Sequence, residues 1–169
     1  MSYRLENLRI LVVDDNAHTR QLLRAILNAI GIRAIEVAED GIQGFDSFCR
    51  FDYDLVFTDC EMEPITGIDL TELIRTSSKS PNPYIPVIMI SAYSDEARVQ
   101  MARDHGVTEF LAKPFTVERL MERLETVIEN PRPFVQTDSY FGPDRRRQQD
   151  QFYRGPERRK TELETVDVS

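Results

Sequence analysis

The apolar positions of the chain fall into two alternating patterns. Predominantly apolar stretches of strand length stand at Leu8 to Val13, Ala34 to Ala38, Leu55 to Thr58, Val87 to Ile90 and Phe110 to Ala112. Between them the apolar residues recur at helical spacing. Leu22, Leu23, Ile26, Leu27 and Ile30 mark a helix that Asn16 caps and Gly31 stops. Further helices are predicted from about Gly41 to Arg50, from Gly67 to about Ser77 with Leu70, Leu73 and Ile74 buried, from about Asp95 to Asp104, and from Val117 to Glu129. The Ser-Pro-Asn-Pro stretch at 80 to 83 reads as a loop. Parallel strands need long crossover connections, and these are usually helical. Five strands alternating with five helices therefore predict a doubly wound α/β domain, a five-stranded parallel sheet covered on both faces, within residues 1–130.

Asn130-Pro131-Arg132-Pro133 ends the last helix, because proline cannot continue it and restricts the residue before it. Residues 131–169 are too few and too polar for a second core and are expected to be a largely disordered tail that orders on binding a ligand. Charge separates the two regions. The whole chain of 169 residues carries a formal −8. Residues 1–130 hold 13 basic and 22 acidic residues, whereas 131–169 hold 8 basic and 7 acidic, with the cations bunched between Gln136 and Lys160. An acidic total argues against DNA binding or a membrane-surface role, since both call for a broad positive excess. With no long apolar span and no apolar leader after Met1, the expectation is a cytoplasmic protein without membrane insertion, its Cys49 and Cys60 reduced thiols.

In a doubly wound sheet the chemistry gathers at the carboxyl ends of the strands. Asp14 and Asp15 follow the first strand, Asp59 the third, Ser91 the fourth, and Lys113-Pro114 the fifth. Any one of these alone is an ordinary loop residue. Together they describe converging carboxylates that repel one another unless a hard cation such as Mg²⁺ shares them, faced by a hydroxyl and an ammonium suited to a phosphoryl group. The combination points to phosphoryl transfer to a carboxylate.

On these residues, with Val12-Val13-Asp14-Asp15, Asp59-Cys60-Glu61-Met62, Gly67, Ser91-Ala92 and Lys113-Pro114-Phe115, residues 5–129 resemble the CheY-like receiver domain of two-component response regulators. The resemblance implies that Asp59 is the phosphoacceptor. It implies Mg²⁺ held by Asp14, Asp15, Asp59 and the main-chain carbonyl of Glu61, phosphoryl contacts from Ser91 and Lys113, a switch role for Phe110, and a cis Lys113–Pro114 bond. A sensor histidine kinase would be the phosphodonor. One departure is the order Met62-Glu63-Pro64, in which the proline stands one position later than is common in that family.

The tail contains a repeat. Tyr140-Phe-Gly142-Pro143-Asp144-Arg145-Arg146-Arg147 and Tyr153-Arg154-Gly155-Pro156-Glu157-Arg158-Arg159-Lys160 share the pattern Y-x-G-P-[DE]-R-R-[RK], 13 residues apart. Arginine's planar fork pairs with guanine O6 and N7 and its face stacks on a base; tyrosine stacks too, and a carboxylate accepts from a guanine's N–H edge. The Gly-Pro pair supplies a bend. Two copies suit a guanine dinucleotide with two equivalent halves. A receiver followed by such a tail resembles the CheY-like cyclic di-GMP effectors called Cle proteins, which implies a non-enzymatic effector that binds cyclic di-GMP and acts on a partner such as the flagellar motor switch protein. The alternative is a conventional phosphorelay receiver switched at Asp59 alone.

Overall fold

The computed structural model describes residues 4–144 and the backbone of 164–166. A short 3₁₀ turn, Leu5–Asn7, leads into β1 (Arg9–Val13), α1 (Ala17–Ala29), β2 (Ala34–Ala38), α2 (Gly41–Arg50) and β3 (Leu55–Asp59). Then come α3 (Gly67–Thr76), β4 (Val87–Ser91), α4 (Glu96–Asp104), β5 (Glu109–Ala112) and α5 (Val117–Glu129). The five strands form one parallel sheet in the order β2-β1-β3-β4-β5. The expected architecture is present, and β3 and β4 run one residue further than their apolar runs, so that Asp59 and Ser91 close them.

Helix starts follow from local chemistry. Asn16, Asp40, Thr66, Asp95 and Thr116 each accept a hydrogen bond from the backbone N–H three residues on, which satisfies a donor the helix cannot pair internally. At α3 the bond is reciprocal, with the Asp69 carboxylate accepting from the Thr66 N–H. Gly31 ends α1 at φ 106°, a conformation a side chain would oppose.

Successive strand side chains point to opposite faces, so each strand feeds two cores. Ile10 and Val12 of β1 and Ile88 and Ile90 of β4 pack with Leu23 and Leu27 of α1 and Leu120, Leu124 and Val127 of α5. Their neighbours Leu11, Val13 and Val87 pack on the other face with Phe48 of α2 and Leu70 and Ile74 of α3. α4 is the least anchored helix, with Ala102 its one buried residue. Among the described residues, no helix is long and apolar enough to cross a membrane.

Part of the tail departs from expectation. Residues 131–144, assigned by sequence to the largely disordered tail, are ordered against the domain. β6 (Phe134–Gln136) pairs antiparallel with β7 (Phe141–Pro143) on one side and with β8 (Glu164–Val166) on the other. Phe134 is 5% exposed; its ring meets Tyr84 edge-on at 5.2 Å and Phe141 at 5.7 Å. It also covers the buried guanidinium of Arg75, 5.0 Å from the ring centre. Arg132 pairs with the buried Glu109 at 2.7 Å. These contacts lie around the amino ends of β4 and β5. The aromatic residues of a polar stretch thus find partners on the receiver body, which composition alone does not disclose.

Candidate functional site

Asp14 leaves β1, Asp59 closes β3, Ser91 closes β4 and Lys113 follows β5, so the parallel sheet brings them to one rim. Oxygens of Asp14, Asp15 and Asp59 lie within 4.8 Å of one another. Asp14 and Asp59 are buried and Asp15 is exposed, which leaves the cluster open to solvent on one side. The Lys113 ammonium stands 3.3 Å from Asp59 Oδ1 and 3.5 Å from Asp14 Oδ2. The peptide bond from Lys113 to Pro114 is cis, as is that from Glu63 to Pro64.

Loop geometry fixes these groups. The Asn16 N–H donates to Asp14 Oδ1 at 2.8 Å, and the Arg20 guanidinium donates to the Asp14 carbonyl at 2.7 Å. The Thr58 hydroxyl donates to the Asp59 carbonyl at 3.0 Å. Gly67 packs directly on that carbonyl, where any Cβ would collide with it, and its N–H donates to the Cys60 carbonyl at 2.9 Å. The Ser91 hydroxyl oxygen, almost fully buried, accepts from the Tyr93 N–H at 3.0 Å. Phe110 is buried beside Met89, Ala102 and Cys60, and its carbonyl accepts from Arg123.

Electrostatics agree with the geometry. Burial, followed by repulsion from Asp14, pushes the Asp59 carboxyl up to about 6, while Lys113 opposes the shift. Burial also raises Asp14, against the Asn16 hydrogen bond and the Lys113 charge. Two close carboxylates that resist ionising together are a receptive site for a divalent cation, and an all-oxygen donor set of this kind suits Mg²⁺. Glu61 belongs to the same rim, but its side chain turns outward to pair with Arg98 of α4.

Arg98 was not singled out by sequence; a basic residue in the first turn of a polar helix looks like a solvated one. Arg75, on the buried side of α3 with Thr71, was missed as well. Its only sequence trace is helical spacing from Thr71, a weak signal.

The tail residues divide. Tyr140 donates from its hydroxyl to the Pro143 carbonyl at 2.7 Å, Gly142 lies opposite Val135, Pro143 lies opposite Phe134, and the Asp144 N–H donates to the Pro133 carbonyl at 2.7 Å. A Cβ on Gly142 would stand 2.6 Å from the Tyr140 hydroxyl and 2.9 Å from Gly106 Cα, so this glycine permits the tail to touch the turn after α4. Arg145, Arg146, Arg147, Tyr153, Arg154, Gly155, Pro156, Glu157, Arg158 and Arg159 lie outside the described residues.

Comparison with known proteins agrees with this arrangement. A family model described as the response regulator receiver domain matches residues 10–125. Chemotaxis protein CheY-3 of Vibrio cholerae is 32% identical over 124 residues, covering 73% of this chain and 94% of that one. A Borrelia burgdorferi CheY, solved as a CheX–CheY–BeF3–Mg complex, aligns with a TM-score of 0.65 at 28% identity, over 71% of this chain and 88% of that one. The receiver domain of a Pseudomonas aeruginosa sensor histidine kinase, solved with a magnesium ion coordinated in its active-site cleft, gives a TM-score of 0.63 at 29% identity, over 70% of this chain and 94% of that one. With its acidic cluster, Ser91 and Lys113 gathered on the rim of a β2-β1-β3-β4-β5 sheet, this chain belongs to the response regulator receiver domain family.

Proposed function

We propose that the chain is a non-enzymatic CheY-like effector that binds cyclic di-GMP through its arginine-bearing tail and acts in the cytoplasm on a flagellar motor switch protein, controlling motility or attachment. The observation that carries this reading is the seat of the first repeat copy. Tyr140, Gly142, Pro143 and Asp144 are built into a hairpin held on the receiver, with Gly142 against Gly106. The chain continues from Asp144 directly into Arg145, Arg146 and Arg147. A guanine dinucleotide gripped by those arginines would bind beside the turn that follows α4, and so would alter the surface the receiver offers a partner. Calorimetric titration of the full chain with cyclic di-GMP tests it, against a variant with Arg145, Arg146, Arg158 and Arg159 changed to Ala. Saturable heat that the variant loses is expected; equal heats refute the reading.

A second reading is favoured by the carboxylate rim: a receiver switched by phosphorylation of Asp59, with a sensor histidine kinase as donor. Asp14, Asp15, Asp59 and the Glu61 carbonyl would hold Mg²⁺, which would neutralise the charge of the incoming phosphoryl group. Lys113 and Ser91 would meet the phosphoryl oxygens, and Phe110 would report the change from its buried position. Acetyl phosphate with Mg²⁺ should label the wild-type chain and leave Asp59→Asn unlabelled. Labelling of both would move the acceptor elsewhere.

A further inference from the structure

Arg98 stands in the first turn of α4, and three groups hold it. Its guanidinium pairs with Glu61, lies 3.6 Å from Asp95 Oδ2, and stacks over the Tyr93 ring at 4.4 Å from the centroid. The same Tyr93 donates its N–H to Ser91. Glu61 is two residues beyond Asp59, so the Arg98–Glu61 pair stands beside the phosphoacceptor loop. Arg98 is therefore a cation on the rim of the phosphoacceptor site, supplied by a helix with one buried residue. Its carboxylate partner, Glu61, lies outside the cluster formed by Asp14, Asp15 and Asp59.

We propose that Arg98 is a positioning residue that sets the lifetime of the aspartyl phosphate by holding the Glu61 carboxylate away from it. The inference rests on the reading of Asp59 as phosphoacceptor. Loss of the phosphoryl group is hydrolysis. A water oxygen bonds to phosphorus, the bond from phosphorus to the Asp59 carboxylate oxygen breaks with its electron pair returning to that carboxylate, and the water gives up a proton. A carboxylate beside the incoming water accepts that proton and speeds the step. Glu61 is near enough along the chain to serve, and the pair with Arg98 holds its carboxylate through Oε1 instead. Tyr93 stiffens the arrangement, because a stacked guanidinium keeps its fork in one plane. Both partners are about half exposed, so the restraint is modest and sensitive to salt.

The test uses the full chain, labelled with acetyl phosphate and Mg²⁺, then freed of donor, with decay followed by phosphate-affinity electrophoresis. Arg98→Ala should shorten the half-life about threefold, the scale of one exposed ion pair, and Arg98→Lys should restore most of it. Adding Glu61→Gln to Arg98→Ala should return the half-life to that of Glu61→Gln alone. Raising the salt concentration should shorten the wild-type half-life toward that of Arg98→Ala and leave the Arg98→Ala half-life unchanged. A double variant as short-lived as Arg98→Ala overturns the proposal, since Arg98 would then act without Glu61. So does an Arg98→Ala half-life equal to the wild type. A wild-type chain that takes no label overturns the phosphoacceptor reading itself, which the other outcomes leave standing.

Discussion

Replacing Arg75 with methionine should destabilise the protein by about 2–4 kcal/mol. The residue is 4% exposed, and the partners of its guanidinium are neutral. Nε donates to the Gly106 carbonyl at 3.0 Å, Nη1 to the carbonyls of Pro83 at 2.8 Å and Ile85 at 2.6 Å, and Nη2 to the Thr108 hydroxyl at 3.4 Å. Burial pulls its pKa down to about 9, which leaves it charged at neutral pH. Methionine fills similar space and donates nothing. The Thr108 oxygen keeps its bond from the Val87 N–H, so the loss falls on three carbonyls. Each orphaned buried carbonyl costs about 1–3 kcal/mol. Relief from burying a charge returns several kcal/mol of that sum, and Pro83, which is partly exposed, regains water. Urea unfolding of the full chain, followed by circular dichroism, measures the balance. A midpoint shift worth less than about 0.5 kcal/mol would refute the view that Arg75 ties together the loops before β4 and β5. Combining the change with Phe134→Leu should show a coupling of about 1 kcal/mol, because the contact between guanidinium and ring is lost in either single variant.

Asp59→Asn should stabilise the metal-free protein by up to about 3 kcal/mol at pH 7.5. Folding raises this acid's pKa to about 6, so the stability it contributes is fully present below the unfolded value of about 4 and lost as pH rises through about 6. The gap in Tm between variant and wild type should therefore close as pH falls from 7.5 to 4.5, and Mg²⁺ should raise the wild-type Tm more than that of the variant. A gap independent of pH would contradict the raised Asp59 pKa that burial and the neighbouring Asp14 produce. Gly142→Ala should lift the hairpin from Gly106, because its Cβ would lie 2.9 Å from the Gly106 Cα. Faster proteolysis within residues 134–143 and an unchanged carboxylate site are expected; wild-type protection would show that the contact yields easily.

The receiver was legible because two independent signals coincide. Apolar runs at Leu55 to Thr58 and Val87 to Ile90 set the strands, and the polar residue after each run, Asp59 and Ser91, closes its strand on the rim of the sheet. The cap at Asn16 was also visible as a residue type at a helix start. What escaped depends on distance along the chain. Phe134 reaches Tyr84 fifty positions earlier and Arg132 reaches Glu109, and local composition carries no sign of such pairings. Arg75 escaped for another reason: a charged residue is read as solvated, yet this one has backbone carbonyls from two loops to receive it. Glu61 was assigned through its main chain alone, and its side chain has a separate partner in Arg98.

The hairpin on the amino ends of β4 and β5 also changes what the molecule offers its surroundings. Tyr84, Phe134 and Phe141 form an aromatic contact within one chain, at the opposite end of the strands from the carboxylates. A free-standing receiver would present that ground to solvent or to a second protein. Here it is already taken, and a competitor for it must first displace Phe134 and uncover a buried cation. Recognition by other proteins is thereby steered to the remaining faces, and the tail acts as a tenant that decides which surfaces are vacant.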